Sequence, residues 1–315
     1  MAAAVCAMGA GSTGSRLLRG ERDCFTALEQ RFAKFKGTDR SLYFSSGYLA
    51  NLAVLTTFPE AGDTIFSDER NHASLIDGAR LSRAGRVVFP HNSPGTIPAD
   101  TVPDSSFLVT ESVFSMDGDL APLEHYKKLP AALIVDEAHA VGIYGERGQG
   151  LAEDVFVSIN PAGKALGVAG AFVAGPSWAI VYLEQRARPF IFSTAAPPAV
   201  AAALDASLDV IADEPERRQR VHELARYLRA QLTAAGVPVP DCDSPIIPII
   251  VGENDRAVAV AAALQRAGFD VRAIRPPTVP AGTARLRISV NAGLSEEILD
   301  DFVRHMVEHL CAASS

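Results

Sequence analysis

The sequence predicts an α/β protein, with a large domain on a mostly parallel sheet and a smaller α+β domain at the C-terminus. Three observations carry this. Between about residues 21 and 205, short β-branched or aromatic runs alternate with helical patterns, as a parallel sheet with crossover helices requires. Pro197 and Pro198 interrupt the alternation. Beyond them the texture changes to longer amphipathic helices separated by apolar runs. The large domain is therefore drawn over 1–208 and the small one over 209–315, with no low-complexity linker between them.

The first element is a glycine-dense stretch, Gly9 to Gly14, whose composition suits a structured loop better than an amphipathic helix. A helix follows over 24–36, with Phe25, Leu28, Phe32 and Phe35 on one face. Strands are expected over 41–45, 64–67, 86–90, 106–110, 132–135 and 171–174, with a helix over 73–84. After the proline pair come helices over 199–211 and 216–235, a strand over 246–251, a helix over 257–267, a strand over 285–290 and a last helix over 295–311.

Composition narrows the function classes. A chain of 315 residues with 48% hydrophobic and 21% charged residues has material for a large core. A formal net charge of -8 argues against a broad nucleic-acid footprint. No run of about 18 apolar residues occurs, so no membrane span is expected. Cys6, Cys24, Cys242 and Cys311 form no CxxC pair, which indicates neither a zinc ribbon nor a disulfide framework. No metal is expected, and a reducing cytoplasm fits.

The segment 133–170 carries the clearest chemistry. The run Leu133, Ile134, Val135 delivers Asp136 to a strand end, His139 follows, and Lys164 sits among small residues. A carboxylate, a hydrogen-bond donor and a lysine in this order are what a pyridoxal phosphate (PLP) site uses. Asp136 to His139 also spell the acidic box of a DEAH-type helicase. That reading requires GxxxxGK[ST], yet Gly163-Lys164 is followed by Ala165. A strand end with a solvated acid and a surface lysine is the ordinary alternative.

Other segments add candidates. Ser45, Ser46, Gly47 and Tyr48 lead from a strand into a helix whose first amides suit a phosphate, although a capped helix start looks the same in sequence. His72 lies in a polar loop and offers a planar ring for stacking, or simply a cap. Ser115 follows another strand, where it either donates to a ligand or satisfies a turn. In the small domain Thr278, Arg285 and Arg287 stand near one another, and a strand arginine can clamp a carboxylate. Gly9, Gly11 and Gly14 match GxGxxG, a dinucleotide signal weakened by Gly20, which interrupts the required helix.

Through GSRLLRG, SSGYLAN, NHASLIDGARLS, ESVFSMDGDLAPL, LIVDEAHAVGIYGERGQG, GKALG, FIFSTAAPP and RPPTVPAGTARLRIS, the chain resembles the α-oxoamine synthase family of fold-type I PLP-dependent transferases over nearly its whole length. The resemblance implies that Lys164 carries PLP, Asp136 binds the pyridinium nitrogen, His139 bonds the phenolic oxygen and His72 stacks on the ring while also meeting substrate. Gly47 and Tyr48 would hold the phosphate by their amides, Ser115 would touch the cofactor, and Thr278 and Arg287 would face substrate. Ser193 and Thr194 match a segment that approaches the neighbouring chain's cofactor, which implies a homodimer with a shared active site. The implied reaction is a decarboxylating condensation of an amino acid with an acyl thioester carried on coenzyme A or a carrier protein. The RPPTVPAGTARLR string favours L-alanine and a pimeloyl thioester. A glycine-plus-acetyl sibling reaction and an inactive truncated paralogue are the alternatives.

Two departures accompany the resemblance. Family members usually carry Thr or Ser three residues before the lysine, and here that position is Pro161, which has neither hydroxyl nor amide hydrogen. The family also has several tens of residues before the glycine-rich segment, including a substrate-contacting arginine, and this chain begins almost at that segment.

Overall fold

The computed structural model describes residues 1–93, 95, 97–98 and 101–312. They form two compact units, one of residues 1–113 with 121–215, the other of 114–120 with 216–315. The break thus falls at residue 215 rather than 208, and the short segment 114–120 belongs with the C-terminal unit.

The first unit is built on a seven-stranded sheet in the order β1-β7-β6-β5-β4-β2-β3. Its strands are β1 (Arg40–Phe44), β2 (Thr64–Asp68), β3 (Gly85–Phe89), β4 (Ser106–Glu111), β5 (Ala132–Asp136), β6 (Val157–Pro161) and β7 (Ala171–Gly175). Pairings from β3 through β2, β4 and β5 to β6 are parallel, and β7 runs antiparallel to both β6 and β1. The mostly parallel sheet is therefore observed, with one reversed strand inside it. Strand β6 was not anticipated from the sequence, because Ser158, Asn160 and Pro161 dilute its apolar pattern and proline is a poor strand residue.

Period-two alternation sends neighbouring side chains to opposite faces, so both faces of this sheet are covered. Leu42, Phe44, Val109, Ile134, Val173 and Ile159 pack on one side against α3 (Gly47–Thr57), α4 (Ala73–Leu81) and α6 (Ser177–Arg186). On the other side Tyr43 and Phe172 meet Phe25, Leu28 and Phe32 of α2 (Asp23–Lys36) and Leu204 and Leu208 of α8 (Pro198–Asp213). Phe32 and Phe172 stack at 4.0 Å between ring centroids. The predicted apolar face of the first long helix is thus buried, apart from Phe35, which is only partly covered.

Residues Ala2–Met8 form a short helix, α1, and the glycine-dense stretch after it is a loop tied to residues 194–196. Ser12 Oγ donates to the Ala196 carbonyl, and Ala195 N donates to the Gly14 carbonyl. A dinucleotide fingerprint needs a strand before its glycines and a long helix after them. Here a helix precedes them and a five-residue turn follows, so that reading lacks its structural context.

The second unit has a three-stranded antiparallel sheet, β8 (Ile246–Gly252), β10 (Ala284–Ser289) and β9 (Arg272–Ile274), with β10 central. Leu224 and Leu228 of α9 (Glu216–Ala234), Val260 and Leu264 of α10 (Asn254–Arg266), and Leu299, Phe302 and Met306 of α11 (Glu296–Ala312) cover one apolar core. Residues 114–120 are held there by an Arg285–Asp117 ion pair and by Arg287 Nε donating to the Ser115 carbonyl. Among the described residues no helix is long and apolar enough to cross a membrane.

Candidate active site

In an open parallel sheet the strand ends that share a direction present their following loops on one side. The carboxyl ends of β1, β2, β4, β5 and β6 accordingly deliver Ser45 to Tyr48, the His72 loop, Glu111, Asp136 to His139, and Pro161 to Lys164. Together with Asn51, Ser74, Ala169 and Gly170, residues from all these ends line one cavity of about 430 Å³. Six sequence candidates, Gly47, Tyr48, His72, Asp136, His139 and Lys164, are thereby brought together although they span 118 positions, from 47 to 164.

Asp136 is 3% exposed and fully engaged: Asn51 Nδ2 donates to one carboxylate oxygen at 2.7 Å and the Ala138 amide to the other at 2.8 Å. Burial raises its pKa above the ordinary value, while those two bonds and the charges of Lys164 and His72 oppose the rise. Asn51 Nδ2 also donates to Ser74 Oγ at 2.8 Å, and Ser74 Oγ lies 2.7 Å from His72 Nδ1. One continuous chain of hydrogen bonds therefore links Asp136 to His72. The Ser74 amide donates to His72 Nδ1, which assigns the proton of the neutral ring to Nε2.

Ser46 caps α3, its Oγ accepting from Leu49 N at 3.2 Å. The first-turn amides of Gly47 and Tyr48 have no partner within the helix, so they remain available to an anion. Pro161 packs against this turn: a Cβ on Gly47 would sit 2.7 Å from Pro161 Cγ. The small-residue turn after β6 leaves Lys164 exposed, and no hydrogen bond or ion pair of its ammonium is found among the described residues.

Three contributors were not singled out from the sequence. Asn51 stands only inside the SSGYLAN string, and Ser74 only inside the NHASLIDGARLS string. Glu111 had the same signal as Asp136, an acid closing an apolar strand, and it lies directly across the ladder from it.

The remaining candidates lie elsewhere. Ser193 and Thr194 line a narrow cleft with Arg16, Tyr43, Phe44 and Ser45. Arg16 is fixed there by Glu29 and Glu21 and rests on Phe25 and Phe190, each 5.4 Å from the ring centroid. Ser115, Thr278 and Arg287 belong to the second unit. Arg287 spends its Nε on the Ser115 carbonyl and a terminal nitrogen on Ser289 Oγ at 2.6 Å, and burial lowers its pKa.

The residues fit PLP. Asp136 is a buried carboxylate already oriented by two donors, as a pyridinium partner must be. The side-chain oxygen of Asn51 is buried without a hydrogen-bond partner among the described residues. Helix amides and a lysine without partners among the described residues, with a planar imidazole, complete the donor set a phosphorylated aromatic aldehyde needs.

The chain is similar to known proteins over most of its length. The family model for aminotransferase class I and II matches residues 1–306. A relative from Paraburkholderia xenovorans strain LB400 named 8-amino-7-oxononanoate synthase is 47% identical over 311 residues, covering 93% of this chain and 79% of that protein. Serine palmitoyltransferase from S. paucimobilis, solved with a bound PLP–myriocin aldimine, superposes with a TM-score of 0.93 at 30% identity, covering 99% of this chain and 83% of that one. The 8-amino-7-oxononanoate synthase of Francisella tularensis superposes at 0.87 with 29% identity, covering 100% and 92%.

Proposed function

Because the chain belongs to the aminotransferase class I and II family, we propose that it is a PLP-dependent acyltransferase that condenses L-alanine with a pimeloyl thioester, releasing CO2 and giving 8-amino-7-oxononanoate for biotin synthesis. The observation that carries this reading is the single cavity into which four strand ends, those of β1, β2, β5 and β6, deliver Lys164, Asp136, His139, His72, Gly47 and Tyr48. The 47% identical relative bearing that enzyme's name supports the choice of substrates.

PLP supplies an electron sink for the bond electrons released at the amino acid's Cα. The chain's own residues do the rest. Lys164 would hold the cofactor through its Nζ, and the same amine, once free, would take the proton from the amino acid's Cα and return one. Asp136, anchored by Asn51 and Ala138, keeps the proton on the pyridine nitrogen. His139 stands one turn beyond Asp136 and donates to the phenolic oxygen. The His72 ring, fixed through Ser74, would cover one face of the cofactor and shield it from water. The amides of Gly47 and Tyr48 receive the phosphate, and Ser115 is assigned a further cofactor contact. Thr278 and Arg287 are assigned to the substrate.

The enzyme is proposed to act as a homodimer in the cytoplasm, Ser193 and Thr194 reaching the phosphate of the partner's cofactor. Phe192, 71% exposed beside them, supports an interface at this place. The free thiols of Cys6, Cys24 and Cys242 suit a reducing compartment.

The test is a product assay by mass spectrometry with PLP-loaded protein. L-alanine with pimeloyl-coenzyme A or a pimeloyl carrier protein should give the C9 amino ketone with loss of CO2. Turnover of glycine with acetyl-coenzyme A in its place would redirect the reading to the sibling reaction. No turnover with any pair would point to the inactive paralogue.

A further inference from the structure

The cavity holds a second buried acid to which the reading above gives no role. Glu111 closes β4 and Asp136 closes β5, and the two are register partners in a parallel ladder, so their side chains share one face of the sheet. Both are 3% exposed and both line the cavity. Two like charges so placed, away from water, cannot both persist without strong compensation.

Their partners are unequal. Asp136 accepts from Asn51 Nδ2 and from the Ala138 amide. Glu111 accepts one bond only among those described, from the His72 amide at 2.7 Å. The charges that act most on Glu111 are those of Asp136 on β5, Lys164 in the turn after β6 and Asp68 at the end of β2, two acids and one cation, and the titratable ring of His72 lies on the residue whose amide it accepts from. A single proton shared by the pair therefore belongs on Glu111, the acid with fewer donors.

We propose that Glu111 is a positioning residue that works as a neutral carboxylic acid, fixing His72 through its backbone amide and leaving Asp136 as the negative charge presented to the cofactor. This rests on the PLP reading for its functional part, though not for its protonation state. Burial, followed by the charge of Asp136, also pushes the Glu111 carboxyl well above its ordinary value. An ionised Glu111 would spread negative charge over both strand ends and draw Lys164 toward a second anion. In neutral form it keeps the acceptor for His72 and adds no charge.

Glu111→Gln is the isostere of the proposed state, and Glu111→Ala removes the acceptor. Melting of the apoprotein across pH is read first, followed by PLP affinity by titration. A carboxyl whose folded pKa lies above its unfolded value costs the fold stability as pH rises through the window between them. The melting temperature of Glu111→Gln should therefore gain on wild type as pH climbs above about 4.3 and level off once the folded carboxyl ionises. At neutral pH Glu111→Gln should bind PLP within about threefold of wild type, and Glu111→Ala roughly tenfold more weakly, because the His72 amide is left unpaired. An unfolded Glu111→Gln protein, a melting difference that does not change with pH, or PLP binding as poor as that of Glu111→Ala would each overturn the proposal. If the melting pattern appears while wild type binds no PLP, the PLP reading fails and the protonation state stands.

Discussion

Substituting Gly47 by alanine sets two opposing effects against each other at the proposed phosphate cradle. Gly47 opens α3, where alanine would ordinarily gain about 0.5–1 kcal/mol through helix propensity. The added methyl would meet Pro161 Cγ at 2.7 Å and Cβ at 3.0 Å. The proline ring cannot rotate aside, and overpacking of this kind costs about 1–3 kcal/mol. The clash wins by roughly 1–2 kcal/mol, so the apoprotein, at about 2.1 cal/mol/K of unfolding entropy per residue, should melt about 1.5–3 °C lower. The first turn must tilt to relieve the contact, carrying the Gly47 and Tyr48 amides with it, and PLP affinity should fall about tenfold, or 1.4 kcal/mol. Differential scanning fluorimetry and PLP titration measure both effects. The Pro161→Ala background supplies the control, since removing the ring should recover most of each loss. An equal penalty with and without Pro161, or a Gly47→Ala protein that matches wild type in both assays, would show that the packing argument is wrong.

Three further outcomes are expected. Lys164→Ala should fold, because the side chain is exposed and unbonded among the described residues, yet lose turnover entirely; activity within tenfold of wild type would remove Lys164 from its role. Asp136→Asn turns a carboxylate oxygen into an amide facing Asn51 Nδ2, so kcat should drop by roughly 100-fold or more, and an unchanged kcat would refute the assignment. Asp68 is buried, which alone would raise its pKa, but bonds from His91 and from the Asn92 and Arg70 amides outweigh burial and hold it below the ordinary value. Its stabilisation is therefore present above about pH 4 and lost as pH falls through the folded pKa. Asp68→Asn should melt lower than wild type at pH 7, with the gap closing in acid; an equal gap at both ends would contradict the sign.

The fold was legible wherever local pattern and burial agree. The apolar runs ending in Phe44, Asp68, Glu111 and Asp136 are strands, and the phenylalanine face of α2 lies in the core. Strand β6 escaped because Asn160 and Pro161 occupy a buried position that only pairing with β7 justifies. Segment 114–120 escaped for a different reason. Its attachments to Arg285, Arg287 and Cys242 join residues more than 100 positions apart, and no local signal records them. The active-site candidates with unusual side chains, Lys164, Asp136, His139 and His72, could be picked out because their chemistry is scarce in apolar surroundings. Asn51, Ser74 and Glu111 act by orienting those groups, and their roles exist only once the strand ends are side by side.

The proposed chemistry depends on Lys164 as the residue that carries PLP in this cavity. Purified protein loaded with PLP, reduced with borohydride, digested and mapped by mass spectrometry tests this most directly. The expected result is a single pyridoxyl-phosphate adduct on Lys164, absent when L-alanine is supplied in excess before reduction. An adduct on another lysine, or none on a protein that remains folded, would contradict it.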